Sequence, residues 1–206
     1  MTIVSVKSET SEEHRRIELS DGSVFSFKTC YLPYIPDIAE GREISGDEEA
    51  SFRFASACLR AETTALKLIA RAEQNVYGLS LKLEKRGHDS ACVRSALARL
   101  CELGVLSDLR YARLWLESRV SRGSSSPRRL RAALRARNID RHDAETALKE
   151  VLDDETEQML LEHFAQKMQN KSAARSREDA PDYSLKYLLR NEGFSSQAIE
   201  RYLDTI

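Results

Sequence analysis

The sequence contains no run of 18 apolar residues, and Met1 to Lys7 is not a basic stretch leading into an apolar one. Neither a membrane-spanning helix nor a secretory leader is predicted, and a cytosolic protein is the expectation. The four cysteines (Cys30, Cys58, Cys92, Cys101) include no C-x-x-C pair. A disulfide framework is therefore excluded in a chain of this length, and reduced, mostly buried thiols are expected. Glycine and proline are scarce, at eight and four in 206 residues, which leaves little to interrupt helices. Charge of one sign is lacking too: 32 Lys and Arg stand against 33 Asp and Glu. Whole-molecule attraction to nucleic acid or anionic lipid is thus excluded, and any such binding needs a local asymmetry. No H-E-x-x-H, G-x-S-x-G, G-x-x-x-x-G-K-[ST] or G-x-G-x-x-G occurs, so no catalytic residue, cofactor or NTP site is predicted. His88 and Cys92 fall four apart, but two ligands do not make a zinc site, so no metal is predicted either.

What is present first is a β-rich start. Thr2 to Lys7 is rich in β-branched residues, and Arg15 to Ser20 alternates polar with apolar before Asp21-Gly22 and Ser23 to Phe27. An Asp-Gly pair between two short runs predicts a hairpin, here with a two-residue turn that sets Leu19 opposite Val24. A three-stranded sheet over residues 1–30 follows. Residues 31–60 hold Pro33, Pro36, Gly41 and Gly46 with several acids, which suits a connector leading into helix, with a short helix around Pro36 to Glu40.

Beyond it the sequence repeats. Leu79, Leu83, Gly87, Val93 and Leu97 share their spacing with Leu130, Leu134, Asn138, Ala144 and Leu148, and with Leu185, Leu189, Gly193, Ile199 and Leu203. The Gly or Asn positions lie 51 and 55 residues apart. Leucines four apart share a helical face, and a Gly or Asn after the last turn accepts the left-handed conformation that ends a helix. Each unit therefore reads as helix, stop, helix, with Asp89 or Ser90, Asp140, and Ser195 or Ser196 as N-caps of the second helix. A further helix precedes each pair, at Glu62 to Glu73, Asp108 to Ser121 and Glu155 to Asn170. The predicted fold class is mainly α: three tandem three-helix repeats (61–104, 105–152, 153–206) forming an elongated curved array, with the small N-terminal sheet.

Charge is distributed unevenly along these repeats. Between Arg110 and Arg141 ten Arg face only Glu117 and Asp140, and from Asp143 to Glu157 seven acids face one Lys. A guanidinium forks onto phosphate or carboxylate, so two readings are open. Either the Arg side chains bind an anionic partner, or they pair with the acidic stretch downstream. The loop Ser121 to Arg129 offers amides at a helix start, which suits an anion. The candidate contact set is Arg119, Arg122, Arg128, Arg129, Arg131 and Arg135, extended to the first repeat by Lys82, Lys85 and Arg86. Arg175 and Arg177 lie in the connector of the third repeat.

The run Gly104-Val105-Leu106-Ser107-Asp108-Leu109-Arg110-Tyr111-Ala112, with Glu117-Ser118-Arg119 and later Arg129-Leu130, Leu134 and Arg137-Asn138-Ile139, resembles the central signature of the RecX regulatory proteins. Lys82-Leu83 and Gly87 match the preceding repeat. Asn138 replaces the family's usual Gly, Ala133 a usual Glu, and Gly78 stands where an acid is common. The resemblance covers about Glu62 to the C-terminus. It implies an all-helical modulator of RecA recombinase that lodges in the groove of the RecA filament on single-stranded DNA and damps its extension, ATPase and strand exchange. It also implies a regulator without chemistry of its own, with the N-terminal strands outside the repeat core. A weak direct nucleic-acid contact, no membrane and a monomer complete the expectation. Two other readings stay open: a free-standing helix-turn-helix DNA binder, and a scaffold of the tetratricopeptide kind, whose period of about 34 residues fits poorly.

Overall fold

The computed structural model of the chain describes residues 1–8, 13–34, 37–123, 125–173 and 185–205. They belong to two compact units, Met1–Ser107 and Asp108–Ile206. The described residues form nine α-helices and one three-stranded sheet, the mainly helical fold with a small N-terminal sheet that the sequence predicts.

In the first unit β1 (Ile3–Ser8), β2 (His14–Leu19) and β3 (Val24–Lys28) pair antiparallel in that order. The expected two-residue turn does not form. Glu18, not Leu19, pairs with Val24, and Ile17 pairs with Phe25. The Leu19 amide donates to the Ser23 carbonyl at 2.8 Å and the Gly22 amide to the Leu19 carbonyl at 2.9 Å. Within the turn only Gly22 has positive φ, +84°. Asp21 instead accepts the Ser23 amide and hydroxyl, each at 2.9 Å, and these bonds, the amide's first, hold its carboxyl below the usual carboxylate range. A three-residue loop ending in a left-handed glycine spares Asp21 the strained conformation. The shift of one residue matters because strand side chains alternate: it puts Phe25 and Phe27 on the buried face with Ile17 and Leu19. A bulge between Ile3 and Ser5 similarly lets Ile3 and Val6 both meet that core.

That face is covered by α1 (Gly46–Ile69). Ser45 and Glu48 form a capping box at its start, each side chain bonded to the other's amide. Phe52 stacks on Phe27 at 5.1 Å between ring centroids. Glu62, 2% exposed, ties helix to sheet by accepting from Lys28 Nζ at 2.6 Å and the Tyr31 hydroxyl at 2.8 Å. The helix begins well before Glu62 and ends four residues short of Glu73, and Leu66, expected on its apolar stripe, is exposed. No helix forms at residues 37–40, where the chain is irregular and then turns; Pro36 lies outside the described residues. The C-terminal part of α1 packs with α2 (Val76–Glu84) and α3 (Ser90–Glu102) around Ala65, Leu79, Leu83, Val93, Leu97, Leu100 and Leu106.

The second unit comprises α4 (Asp108–Val120), α5 (Pro127–Arg135), α6 (Arg141–Val151), α7 (Asp154–Ala173), α8 (Leu185–Asn191) and α9 (Ser196–Leu203). One continuous core runs from Ala112, Leu116 and Leu130 through Leu134 and Leu148 to Leu160, Leu161, Leu189 and Ile199. The second and third sequence repeats therefore share a single interior, as expected of segments too short to bury their own apolar faces.

The three stops have one geometry. Gly87, Asn138 and Gly193 have φ of +83°, +57° and +88°, and Asn138 is the sole described non-glycine residue with positive φ. After each, the amide of the next residue reaches back across the turn: His88 to the Leu83 carbonyl at 3.3 Å, Ile139 to Leu134 at 3.2 Å, Phe194 to Leu189 at 3.3 Å. This bond satisfies carbonyls the helix end would otherwise leave orphaned. The Asp89, Asp140 and Ser195 side chains then accept amides of the following helix.

Candidate functional site

The arginine-rich segment spans α4, α5 and the turn between them. Asp108 opens α4, where a carboxylate meets the positive end of the helix dipole. Pro127 stands in the first turn of α5, and the fully buried Ser126 caps it by accepting the Arg129 amide at 3.4 Å. Leu130 and Leu134 fix the inner face of α5, which sends Arg128 and Arg135, two turns apart, to the outer face.

The structure divides the predicted contact set. Arg128 and Arg135 are exposed on the outer face of α5, and Arg122 is exposed in the turn after α4. Arg119, also exposed, lies with its guanidinium 5.2 Å from the centre of the Trp115 ring. Arg129 leans the other way, 6.0 Å from the Phe164 ring and with Nε 3.7 Å from the Glu192 carboxylate. Arg131 forks onto Glu145 of α6, at 2.6 and 3.1 Å. That fork holds the Glu145 carboxyl below, and the Arg131 guanidinium above, their ordinary values. Arg113 pairs with Glu150 in the same manner, its Nε and one terminal nitrogen donating to the two carboxylate oxygens. The pairing reading holds for Arg113 and Arg131, which neutralise part of the acidic stretch, while Arg122 and Arg135 are exposed and Arg128, also exposed, donates from its guanidinium to the Asn191 carbonyl at 3.4 Å. Lys82, Lys85 and Arg86 belong to the first unit, exposed along and just after α2; Lys82 Nζ donates to Gln74 at 2.6 Å and Arg86 to the Lys82 carbonyl at 2.8 Å. Ser124, Arg175 and Arg177 lie outside the described residues.

The amides expected to cradle an anion at the start of α5 are already used. The Arg128 amide donates to the Glu192 carbonyl at 2.9 Å, and the Ser126 hydroxyl donates to the Glu192 carboxylate. An ideal Cβ at Gly193 would come within 3.3 Å of the Arg128 nitrogen, so the stop after α8 is pressed against the first turn of α5. A carboxylate from the third repeat occupies the place an external anion would take.

Two features escaped sequence reasoning. The Arg137 guanidinium lies 4.4 Å from the centre of the Trp115 ring, so that two arginines share one indole. The spacing of Trp115 and Arg119, four apart on a helix, was a visible signal; the approach of Arg137 from the end of α5 was not. Second, the thiols split. Cys58 and Cys92 are buried together between α1 and α3, where burial, with the neighbouring thiol second, pushes Cys58 up to about 12. Cys30 and Cys101 are exposed, against the expectation of buried cysteines. His88 bonds Thr64 at 3.1 Å, and no group of three or more metal-ligating side chains occurs among the described residues. Among them, too, no helix is long and apolar enough to cross a membrane.

Residues 107–148, which carry α4 to α6, match the model of the second three-helix domain of RecX. The chain is 31% identical over 163 residues to the regulatory protein RecX of Treponema pallidum (strain Nichols), covering 79% of this chain and 95% of that one. It is 34% identical over 140 residues to a regulatory protein RecX of Pseudomonas fluorescens, covering 68% and 87%. A crystal structure of regulatory protein RecX shares the fold with a TM-score of 0.71 at 19% identity, over 98% of each chain. That coverage takes in the N-terminal sheet as well as the helices.

Proposed function

Because this chain belongs to the RecX family of regulatory proteins, we propose that it binds the RecA filament on single-stranded DNA and inhibits its extension, ATPase and strand exchange. It works by occupancy, as a cytoplasmic monomer, and not by chemistry of its own. The observation that carries this reading is the exposure of Arg128 and Arg135 two turns apart on α5, a helix whose inner face is locked into the core, with Arg122 exposed in the turn after α4. Arg side chains carried on a fixed helix suit a surface that mixes carboxylate and phosphate, as a protein coating DNA does.

The alternative of a free-standing helix-turn-helix reader is less well supported. In that arrangement the second helix enters the major groove. Here the second helix is α6, whose Glu145 and Glu150 already pair with Arg131 and Arg113, leaving Asp143 against Arg141 and Lys149 and so only a slight excess of cations to meet phosphate.

The test is RecA ATPase on single-stranded DNA titrated with this protein. Inhibition is expected, and the double variant Arg128→Ser and Arg135→Ser should raise the half-inhibitory concentration at least about ten-fold with an unchanged helical circular-dichroism spectrum. Arg129, which leans on Glu192, is left in place; because the Arg128 guanidinium also reaches the Asn191 carbonyl of α8 at 3.4 Å, the single variant Arg135→Ser is measured beside the double one and should show a smaller rise of the same sign. Inhibition by the double variant at the wild-type concentration would remove these two arginines from the account.

A further inference from the structure

We propose that Trp115 and the arginines around it form a contact site for single-stranded DNA, taking a base against the ring and guanidiniums and a neighbouring phosphate on the arginine donors. The proposal deepens the reading above by naming which component of the filament this surface meets. It rests on the convergence of Arg119 and Arg137 on one half-buried indole, at 5.2 and 4.4 Å from its centre. Tyr111 lies one turn before Trp115 on the same flank of α4, and Arg122 is exposed in the turn just past the end of the helix. The flank therefore reads Tyr, Trp, Arg, with Arg137 added from the end of α5.

Chemistry selects the ligand. An acidic protein segment would satisfy the guanidiniums but has no use for an indole between them, since a carboxylate gains nothing from the ring. A base is planar and stacks on aromatic rings and on guanidinium planes alike, while its phosphate takes the outward N–H donors. Duplex DNA keeps its bases stacked inside, so the unpaired strand is the form that fits. Of the acids of the second unit, Glu150 is engaged by Arg113 and Glu145 by Arg131. Arg119 is the more loosely held cation, at the longer distance and exposed, and is the one an entering base would displace or cover.

Trp115 is the only tryptophan in the chain, so it reports on its own site. The full protein, without RecA, is titrated with oligo(dT), with an oligomer of abasic sugar-phosphate units and with poly-glutamate, following tryptophan fluorescence and, by anisotropy, binding. Oligo(dT) is expected to quench the emission and to bind about ten-fold or more tightly than the abasic oligomer, the size of one base stack. Poly-glutamate should leave the emission unchanged. Arg119→Ala, on the surface, should weaken oligo(dT) binding by several-fold and Trp115→Leu by about ten-fold, with both variants retaining the helical spectrum. Equal binding of the abasic oligomer, binding without quenching, no binding of oligo(dT), or quenching by poly-glutamate would each overturn the proposal. Because RecA is absent, such a failure leaves the RecA ATPase result to be judged separately.

Discussion

Replacing the residue at each of the three helix stops should give three different stability changes, because the stops share a backbone conformation but not their surroundings. At Gly87 an added Cβ meets nothing within 4 Å, so Gly87→Ala is charged only with the left-handed conformation, about 1 kcal/mol. At Gly193 the same conformation is combined with a contact of 3.3 Å to the Arg128 nitrogen, which is backbone and cannot swing aside. Gly193→Ala should therefore cost about 2 kcal/mol or more, since the first turn of α5 must move as well. At Asn138 the strain is already present, with φ +57° on a side chain that tolerates it only in part. Asn138→Gly should stabilise by a fraction of a kcal/mol, about 0.5, with relief of strain partly offset by the freer unfolded chain. Urea unfolding followed by circular dichroism ranks the variants. The expected order of stability is Asn138→Gly above wild type, then Gly87→Ala, then Gly193→Ala. If Asn138→Gly destabilises, or Gly193→Ala costs no more than Gly87→Ala, the argument from left-handed stops fails.

Glu62→Ala should destabilise the first unit by about 2 kcal/mol or more, because the Tyr31 hydroxyl loses its acceptor beneath the sheet while Lys28 can turn to water. Tyr31→Phe should cost about 1 kcal/mol, and an equal loss in the two variants by urea unfolding would contradict the shared-acceptor account. For Glu145 the native carboxyl lies below its ordinary value of 4.5, chiefly through the Arg131 fork. Its contribution is therefore fully present above about pH 4.5 and disappears as pH falls through the lowered native value. Both partners are partly exposed, so that contribution is at most about 1 kcal/mol. The stability gap between wild type and Glu145→Gln should narrow between pH 7 and pH 3 in urea midpoints, and a constant gap would exclude the fork as its source.

Much of the helical architecture was legible because its signals are local. Leu79 and Leu83, like Leu130 and Leu134, announce a buried helix face by spacing alone, and a Gly or Asn placed after the last turn announces the stop. The Asp-Gly turn was legible as a hairpin but misread by one residue. Its register depends on which of two alternating faces is buried, and that is settled by α1 covering Phe25 and Phe27. The candidate site was legible as a charge excess and not as a surface. Composition cannot distinguish Arg131, forked on Glu145 fourteen residues further along, from Arg135, which is exposed on the outer face of α5.

The sequence by itself determined the paired helices on either side of the three left-handed stops and the apolar stripe of each, though not the bounds of α1, since capping, left-handed turns and the 3.6-residue period involve only neighbours along the chain. Tertiary structure alone decided which arginines remain available, that Glu192 fills the first turn of α5, and that Arg119 and Arg137 meet over Trp115. Those outcomes depend on groups far apart in sequence brought within a few ångströms, and charge pairing and ring stacking fall off too steeply with distance to be read from order alone.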